Sequence, residues 1–155
     1  MDDWDDFLAD LGELILKYRP TSVLEFGCGA FMAASKILGI DGRIRYLGID
    51  IAPRRPQEFM RRHVDKDVTL IHTNLHGIKW MNGPFDFILI DAHDGSAEQY
   101  ANDTRHQCWL ANEMRPRIVA VDDCRIGEVA SVAKRFFGEP TGKGKGVTGL
   151  WHWAM

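Results

Sequence analysis

Short apolar segments alternate along this chain with longer stretches of helical periodicity, and that alternation limits the available folds more than any other feature. Asp5 to Tyr18 carries Phe7, Leu8, Leu11, Leu14, Ile15 and Tyr18 at helical spacing and stops before Pro20. Ser22 to Phe26 reads as a short strand running into Gly27. Ala30 to Leu38 reads as a helix closed by Gly39. Ile44 to Ile49 is a second strand that reaches Asp50, and Pro56 opens a helix that ends near His63. Val68 to His72 is a third strand. Phe85 to Ile90 is a fourth, nearly all apolar, as a strand buried on both faces should be. Ala97 to Met114 is a long helix, Ile118 to Val121 a fifth strand and Glu128 to Phe137 a further helix. Thr148 to Trp153 reads as a last strand. Between Gly138 and Gly146 no strand is legible, because that stretch is mostly Gly, Lys and Pro.

Such alternation predicts an α/β fold: a doubly wound, mainly parallel sheet of six or seven strands with helices on both faces. One domain is expected over 1–155, with an N-terminal helix over 1–19 and a core over 21–155. The 155 residues are 45% hydrophobic and 26% charged, which excludes disordered and low-complexity classes. No apolar run approaches the roughly 18 residues that span a membrane. The first residues, Met1-Asp2-Asp3-Trp4-Asp5-Asp6, are acidic where a secretory signal would be basic, so a cytoplasmic protein is expected. A net charge of −3 offers nucleic acid no general attraction. Cys28, Cys108 and Cys124 form no C-x-x-C pair and read as three reduced thiols.

In doubly wound sheets, ligands bind beyond the carboxyl ends of the strands. The positions that matter are therefore Glu25 to Gly29, Asp50, Asn74, Asp91 to Asp94 and Asp122 to Cys124. Gly27 and Gly29 allow a tight turn and a close ligand approach, although an ordinary strand-to-helix turn has the same composition. A carboxylate at Asp50 suits the two hydroxyls of a ribose. A dinucleotide fingerprint needs a small residue three positions after Gly29, where this chain has Met32. Glu25 also disfavours a diphosphate. A cationic nucleoside such as S-adenosylmethionine, with a sulfonium, an amino group and no phosphate, fits these residues better.

Val23-Leu24-Glu25-Phe26-Gly27-Cys28-Gly29 resembles the first motif of the class I S-adenosylmethionine-dependent methyltransferases. Gly48-Ile49-Asp50-Ile51 resembles their second motif, and Phe85-Asp86-Phe87-Ile88-Leu89-Ile90-Asp91 their strand-four motif. The resemblance covers roughly 21–155 and implies a Rossmann-like sheet and methyl transfer from S-adenosylmethionine to a small-molecule acceptor, at oxygen. It implies that Glu25, Gly27, Cys28 and Gly29 surround the methionine part of the cofactor. Asp50 and Ile51 would hold the ribose, Asn74 and Leu75 would lie by the adenine, and Asp91 would close the site. Phe31 stands where many members have a third glycine.

The family's strand order would place strands four and five side by side, about 4.8 Å apart. Asp91 would then face Asp122 and Asp123, and carboxylates at that separation repel unless a cation intervenes. Mg²⁺ or Ca²⁺ suits such oxygen ligands, and the arrangement resembles the cation-dependent O-methyltransferases of the catechol and caffeoyl-coenzyme A type. The chain departs from them in reading Asp91-Ala92-His93-Asp94, without their lysine. Asp94 is an equally placed donor. His93 and Asp91 are the catalytic candidates, His93 as general base. A surface-loop histidine is the alternative reading.

His72, His76 and His106 match no ligand spacing and read as structural or surface residues. Trp80 is a candidate wall for adenine or substrate, and Trp109 reads as helix packing. Trp151 and Trp153 share a face that is either core or a dimer surface, so homodimerisation stays open. Arg54, Arg55, Arg61, Arg62 and Lys66 read as a solvated face. The Gly142–Gly146 stretch reads as a flexible loop or a lid. Two rival functions stand beside methyl transfer: a non-catalytic binding module of the same fold, and a less favoured NAD(P)-dependent oxidoreductase.

Overall fold

Each strand of a buried parallel sheet presents alternate side chains to opposite faces, and here both rows are apolar. The computed structural model describes residues 3–79, 81, 83–93 and 97–155. The strands are Ser22–Phe26 (β1), Arg45–Asp50 (β2), Val68–His72 (β3), Phe87–Ile90 (β4), Ile118–Val121 (β5), Gly142–Lys143 (β6) and Trp151–Ala154 (β7). The helices are Asp3–Tyr18 (α1), Met32–Ile40 (α2), Pro56–Arg62 (α3), Ala97–Met114 (α4) and Gly127–Phe137 (α5). On one face of the sheet, Val23, Tyr46, Phe87, Leu89 and Ala120 pack against Phe7 and Leu11 of α1, Ile37 of α2 and Phe59 of α3. On the other, Leu24, Phe26, Ile88, Ile90 and Val121 pack against Cys108 and Ala111 of α4 and Val129 and Ala133 of α5. Burial of each large apolar side chain contributes roughly 1.5–3 kcal/mol. That holds α1, with Phe7, Leu11, Leu14 and Ile15 all buried, firmly against the sheet.

The sheet order is β3-β2-β1-β4-β5-β7-β6. β1 to β5 run parallel, and β7 is antiparallel to both β5 and β6. This is the expected α/β sheet with helices on both faces, with seven strands. A dinucleotide-binding sheet runs 3-2-1-4-5-6, so the reversed β7 between β5 and β6 separates this topology from it. Among the described residues, no helix is long and apolar enough to cross a membrane.

Where element boundaries differ from expectation, the causes are tertiary. β4 begins at Phe87 rather than Phe85 because the Asp86 N–H donates to Ser22 Oγ (2.9 Å). The Phe85 ring meanwhile lies under the Arg45 guanidinium (4.7 Å). α2 begins at Met32 rather than Ala30, because Phe31 adopts the left-handed φ of 64° that a glycine would take without strain. The Phe31 ring is buried and stacks on Phe59 at 4.3 Å, which offsets that strain. β6 is the strand the sequence hides. A Cβ on Gly142 would lie within 2.4 Å of the His152 ring, so the glycine is what lets β7 pair there.

The following glycine turn is docked on α1, since the Gly146 N–H donates to Asp10 Oδ2 (2.8 Å). It is a pinned edge rather than a lid. Trp153 is buried against Phe137 and donates to the Gly138 carbonyl (2.9 Å), so the tryptophan face belongs to the core. Its neighbour Trp151 receives Lys143 over its ring at 4.2 Å. All three cysteines are free and buried.

Strand order reverses between β1 and β4, and there the end of β1 touches the loop after β4. A Cβ on Gly27 would sit 2.6 Å from both the Ala92 Cα and the Asp91 carbonyl oxygen. Gly27 also holds φ 85°. Gly29, at φ 47°, faces open space. Gly27→Ala should therefore destabilise the fold by about 2–5 kcal/mol, combining backbone strain with overpacking. Gly29→Ala should cost only about 1–2 kcal/mol of backbone strain. Urea unfolding of the two variants checks this ordering, and equal costs would refute the close approach.

Candidate active site

The carboxyl ends of β1, β2, β4 and β5 stop at one level because their ladder hydrogen bonds continue one residue past each strand. The Gly27 N–H donates to the Ile49 carbonyl (2.7 Å), Asp91 to Phe26 (3.0 Å) and Asp122 to Ile90 (3.0 Å). A cleft of about 440 Å³ opens above them. A larger hollow, about 670 Å³, lies at the opposite end of the sheet around Arg115, Arg117 and Met155 and brings together none of the residues expected to act.

Of the residues expected to bind a cofactor, Gly27, Gly29, Asp50, Ile51, Asn74, Leu75 and Asp91 line the cleft. The Asp50 carboxylate is fixed at both oxygens: Oδ2 accepts from the Gly29 N–H (2.8 Å) and Oδ1 from the Ala52 N–H (2.7 Å). Each oxygen keeps a further lone pair, as a ribose clamp requires. Asn74 caps a short 3₁₀ turn over Leu75–Gly77 by accepting from the His76 N–H (3.0 Å). Glu25 and Cys28 are buried behind the glycine turn and do not line the cleft. Cys28 contributes its backbone, whose carbonyl accepts from the Phe31 N–H (2.7 Å), and burial pushes its thiol up.

Glu25 lies under the turn because Gly48, its register partner on β2, has no side chain. The Tyr46 ring fills that space, and its hydroxyl donates to Glu25 Oε2 (2.5 Å). Burial pushes the Glu25 carboxyl up to about 8, with Asp50 adding to the shift and the tyrosine bond opposing it.

Asp91 follows β4, and Asp122 and Asp123 follow β5. Burial holds the Asp91 carboxyl well above the carboxylate range, reinforced by Asp122, Glu25 and Asp123. Asp122 Oδ1 accepts from the Thr148 hydroxyl (2.6 Å). Asp122 is buried and raised, and it does not line the cleft. Asp123 does line it, at a left-handed φ of 59°, with burial and Asp122 raising it to about 6.

The donors that converge are Asp91, His93 and Asp123, whose ligand atoms lie within 4.8 Å of one another. An all-oxygen site for Mg²⁺ or Ca²⁺ from Asp91, Asp122 and Asp123 does not fit this arrangement, because Asp122 is buried against Thr148 and stands outside both the cleft lining and the converging donor set. Burial also brings His93 down to about 4, with Asp103 opposing. It is therefore neutral near pH 7 but a weak proton acceptor. Asp94 and Trp80 lie outside the described residues.

Sequence reasoning did not place Trp4, Tyr100, Asp103 or Gln107 at the cleft and read His76 and His106 as structural or surface residues; all six line it. Gln107 fixes the loop after β4: its Nε2 donates to the Ala92 carbonyl (2.6 Å) and its Oε1 accepts from the Ala92 N–H (3.3 Å). His76 pairs with Asp103 Oδ1 (2.6 Å), and His106 Nε2 lies 2.8 Å and 2.9 Å from the Leu75 and Ile78 carbonyls. Trp109 is half-exposed on α4 and tilts against His106. Only helical position, read together with the fold, links these residues to the cleft.

No protein-family model and no curated protein matches the sequence. Solved structures match it over nearly its whole length. The N-methyltransferase NodS from Bradyrhizobium japonicum aligns at a TM-score of 0.66 and 16% identity, covering 96% of this chain and 92% of that one. The S-adenosylhomocysteine-bound methyltransferase PaMTH1 from Podospora anserina aligns at 0.71 and 14%, covering 96% and 78%. An O-methyltransferase family protein from Burkholderia thailandensis aligns at 0.70 and 14%, covering 94% and 54%. The chain has the class I methyltransferase fold. In open α/β sheets, ligands bind at the strand-order reversal, where this cleft lies.

The buried carboxyls of this methyltransferase fold make its stability pH-dependent. Glu25 and Asp91 have folded pKa values above their ordinary ones, so the folded state holds protons that the unfolded chain has lost. Their contribution is complete below about pH 4 and is lost as pH rises toward the folded values. His63, His93 and His152, which burial lowers, act in the opposite sense only below about pH 6.5. Stability should therefore fall between about pH 6.5 and 8, by up to about 1.4 kcal/mol per pH unit for each carboxyl. Glu25→Gln should flatten that slope. Urea unfolding across the range checks it, and an unchanged slope would mean that Glu25 is ionised in the folded protein.

Proposed function

We propose that the protein is an S-adenosylmethionine-dependent methyltransferase acting on a small-molecule acceptor, at a hydroxyl oxygen. The observation that carries this reading is the geometry of Asp50. Its carboxylate is held at both oxygens by backbone N–H groups at the strand-order reversal, beside Gly29, where an added Cβ would meet no atom within 4 Å. The residues fit this cofactor. Gly27 and Gly29 leave room for the methionine portion, Asp50 accepts from the ribose hydroxyls, and Ile51, Asn74 and Leu75 border the adenine. Among the described residues, those lining the cleft include Asp50, Asp91, Asp103 and Asp123 but no Lys or Arg. Such a site favours a cation over the diphosphate of a dinucleotide. Solved neighbours of the fold include N- and O-methyltransferases, one of them bound to S-adenosylhomocysteine.

When bound, the cofactor supplies a sulfonium methyl carbon, to which the acceptor's lone pair bonds as the carbon–sulfur electron pair returns to sulfur. The protein's part is chiefly to position the acceptor. Asp91, His93, Tyr100 and Asp123 wall the acceptor side, and a cleft of about 440 Å³ leaves space for a small acceptor beside the cofactor. Burial lowers His93 and so weakens it as a proton acceptor.

Calorimetric titration with S-adenosylmethionine and S-adenosylhomocysteine near neutral pH should show binding of both. Asp50→Asn should weaken it about tenfold. Absence of binding by either compound would sink the proposal. Binding without turnover of hydroxylated acceptors would leave a cofactor-binding module in place of an enzyme.

A further inference from the structure

An acidic cluster in a cleft is common without any ligand, but the one at the ends of β4 and β5 contains an uncommitted imidazole. The His93 side chain is only 4% exposed, yet neither ring nitrogen has a hydrogen-bond partner. Burying such polar atoms unpaired costs roughly 1–3 kcal/mol each. The ring is held in place by stacking on Tyr100 at 4.5 Å and 18°. Nε2 lies 3.4 Å from Asp123 Oδ2 but makes no hydrogen bond to it. The other cleft histidines are engaged: His76 by Asp103, and His106 by the Leu75 and Ile78 carbonyls.

We infer that Asp91, His93 and Asp123 form a mixed nitrogen–oxygen site for a first-row transition-metal dication, of the Mn²⁺ to Zn²⁺ series, on the acceptor side of the cleft. Ligand atoms bound about 2.1 Å from one ion lie about 3 Å apart in neighbouring positions and about 4.2 Å apart in opposite ones. The observed cluster, with every pair inside 4.8 Å, needs only a small contraction to match. The double positive charge offsets both carboxylates, and the ion gives the imidazole lone pair the partner it lacks. One imidazole among the ligands selects for borderline ions over Mg²⁺ and Ca²⁺, which favour oxygen. With three protein ligands, coordination positions remain open toward the cleft, where a substrate oxygen can enter. The site does not depend on the methyl-transfer reading, since its ligands belong to the chain alone.

The test uses the full chain, stripped with a chelator and then titrated with Mn²⁺ alone. Electron paramagnetic resonance should show one tight ion per chain, with nitrogen modulation of the electron spin echo from a directly bound imidazole. His93→Gln should abolish that modulation, and Asp123→Asn should weaken binding about tenfold. A tenfold excess of Mg²⁺ should not displace the ion. No saturation below about 1 mM, binding without nitrogen modulation, or modulation that survives His93→Gln would each overturn the inference. If His93→Gln fails to fold by circular dichroism, the wild-type echo signal and Asp123→Asn decide alone. Binding of Mn²⁺ without binding of S-adenosylmethionine would uphold the metal site and remove the proposed function.

Discussion

The close approach of two backbones, Gly27 against Asp91 and Ala92, is the constraint on which the rest of the site depends. It lets β1 and β4 run side by side to their ends, where no side chain fits between the turns. The register that follows brings Asp50, Asp91 and Asp123 around one cleft from three separate strand ends. Gln107 holds the same loop from the α4 side through both backbone atoms of Ala92. A larger residue at 27 would spread these ends and separate the groups that act together.

That closeness has an electrostatic consequence. Glu25, Asp91, Asp122 and Asp123 are brought together with little water, and the cheapest way to hold them is to keep protons on some and hydrogen bonds on others. Tyr46 serves Glu25, and Thr148 serves Asp122. Among the described residues, no Lys or Arg lines the cleft to neutralise the group. A cationic ligand or ion entering there relieves a repulsion already built into the fold.

Elements defined by local pattern were legible residue by residue. Ser22–Phe26, Val68–His72, Ala97–Met114 and Ile118–Val121 fall where periodicity and flanking residues put them. One wall of the cleft was legible for the same reason, since Gly27, Gly29, Asp50, Asn74 and Leu75 directly follow readable strands. β6 was not legible, because Gly142–Lys143 carries no apolar signal and exists only because β7 offers it an edge. Nor was the left-handed Phe31, whose strain is offset by a ring from α3, distant in sequence. The other wall was half-legible: Asp91, His93 and Asp123 sit at strand ends, whereas Trp4 and Tyr100 sit on helices whose facing is set by packing.

The sequence by itself determined the α/β class and the strand ends that line the cleft. Those properties follow from local periodicity and from the residue types at chain turns. Only the tertiary structure decided which acids share a wall. Adjacent in the chain, Asp122 and Asp123 divide because the left-handed backbone at Asp123 aims one carboxyl into the cleft, while Thr148 captures the other. Only the fold, too, turned His93 from an expected base into a buried, unpaired imidazole, because its pKa and its partners depend on desolvation and on neighbours that no linear spacing specifies.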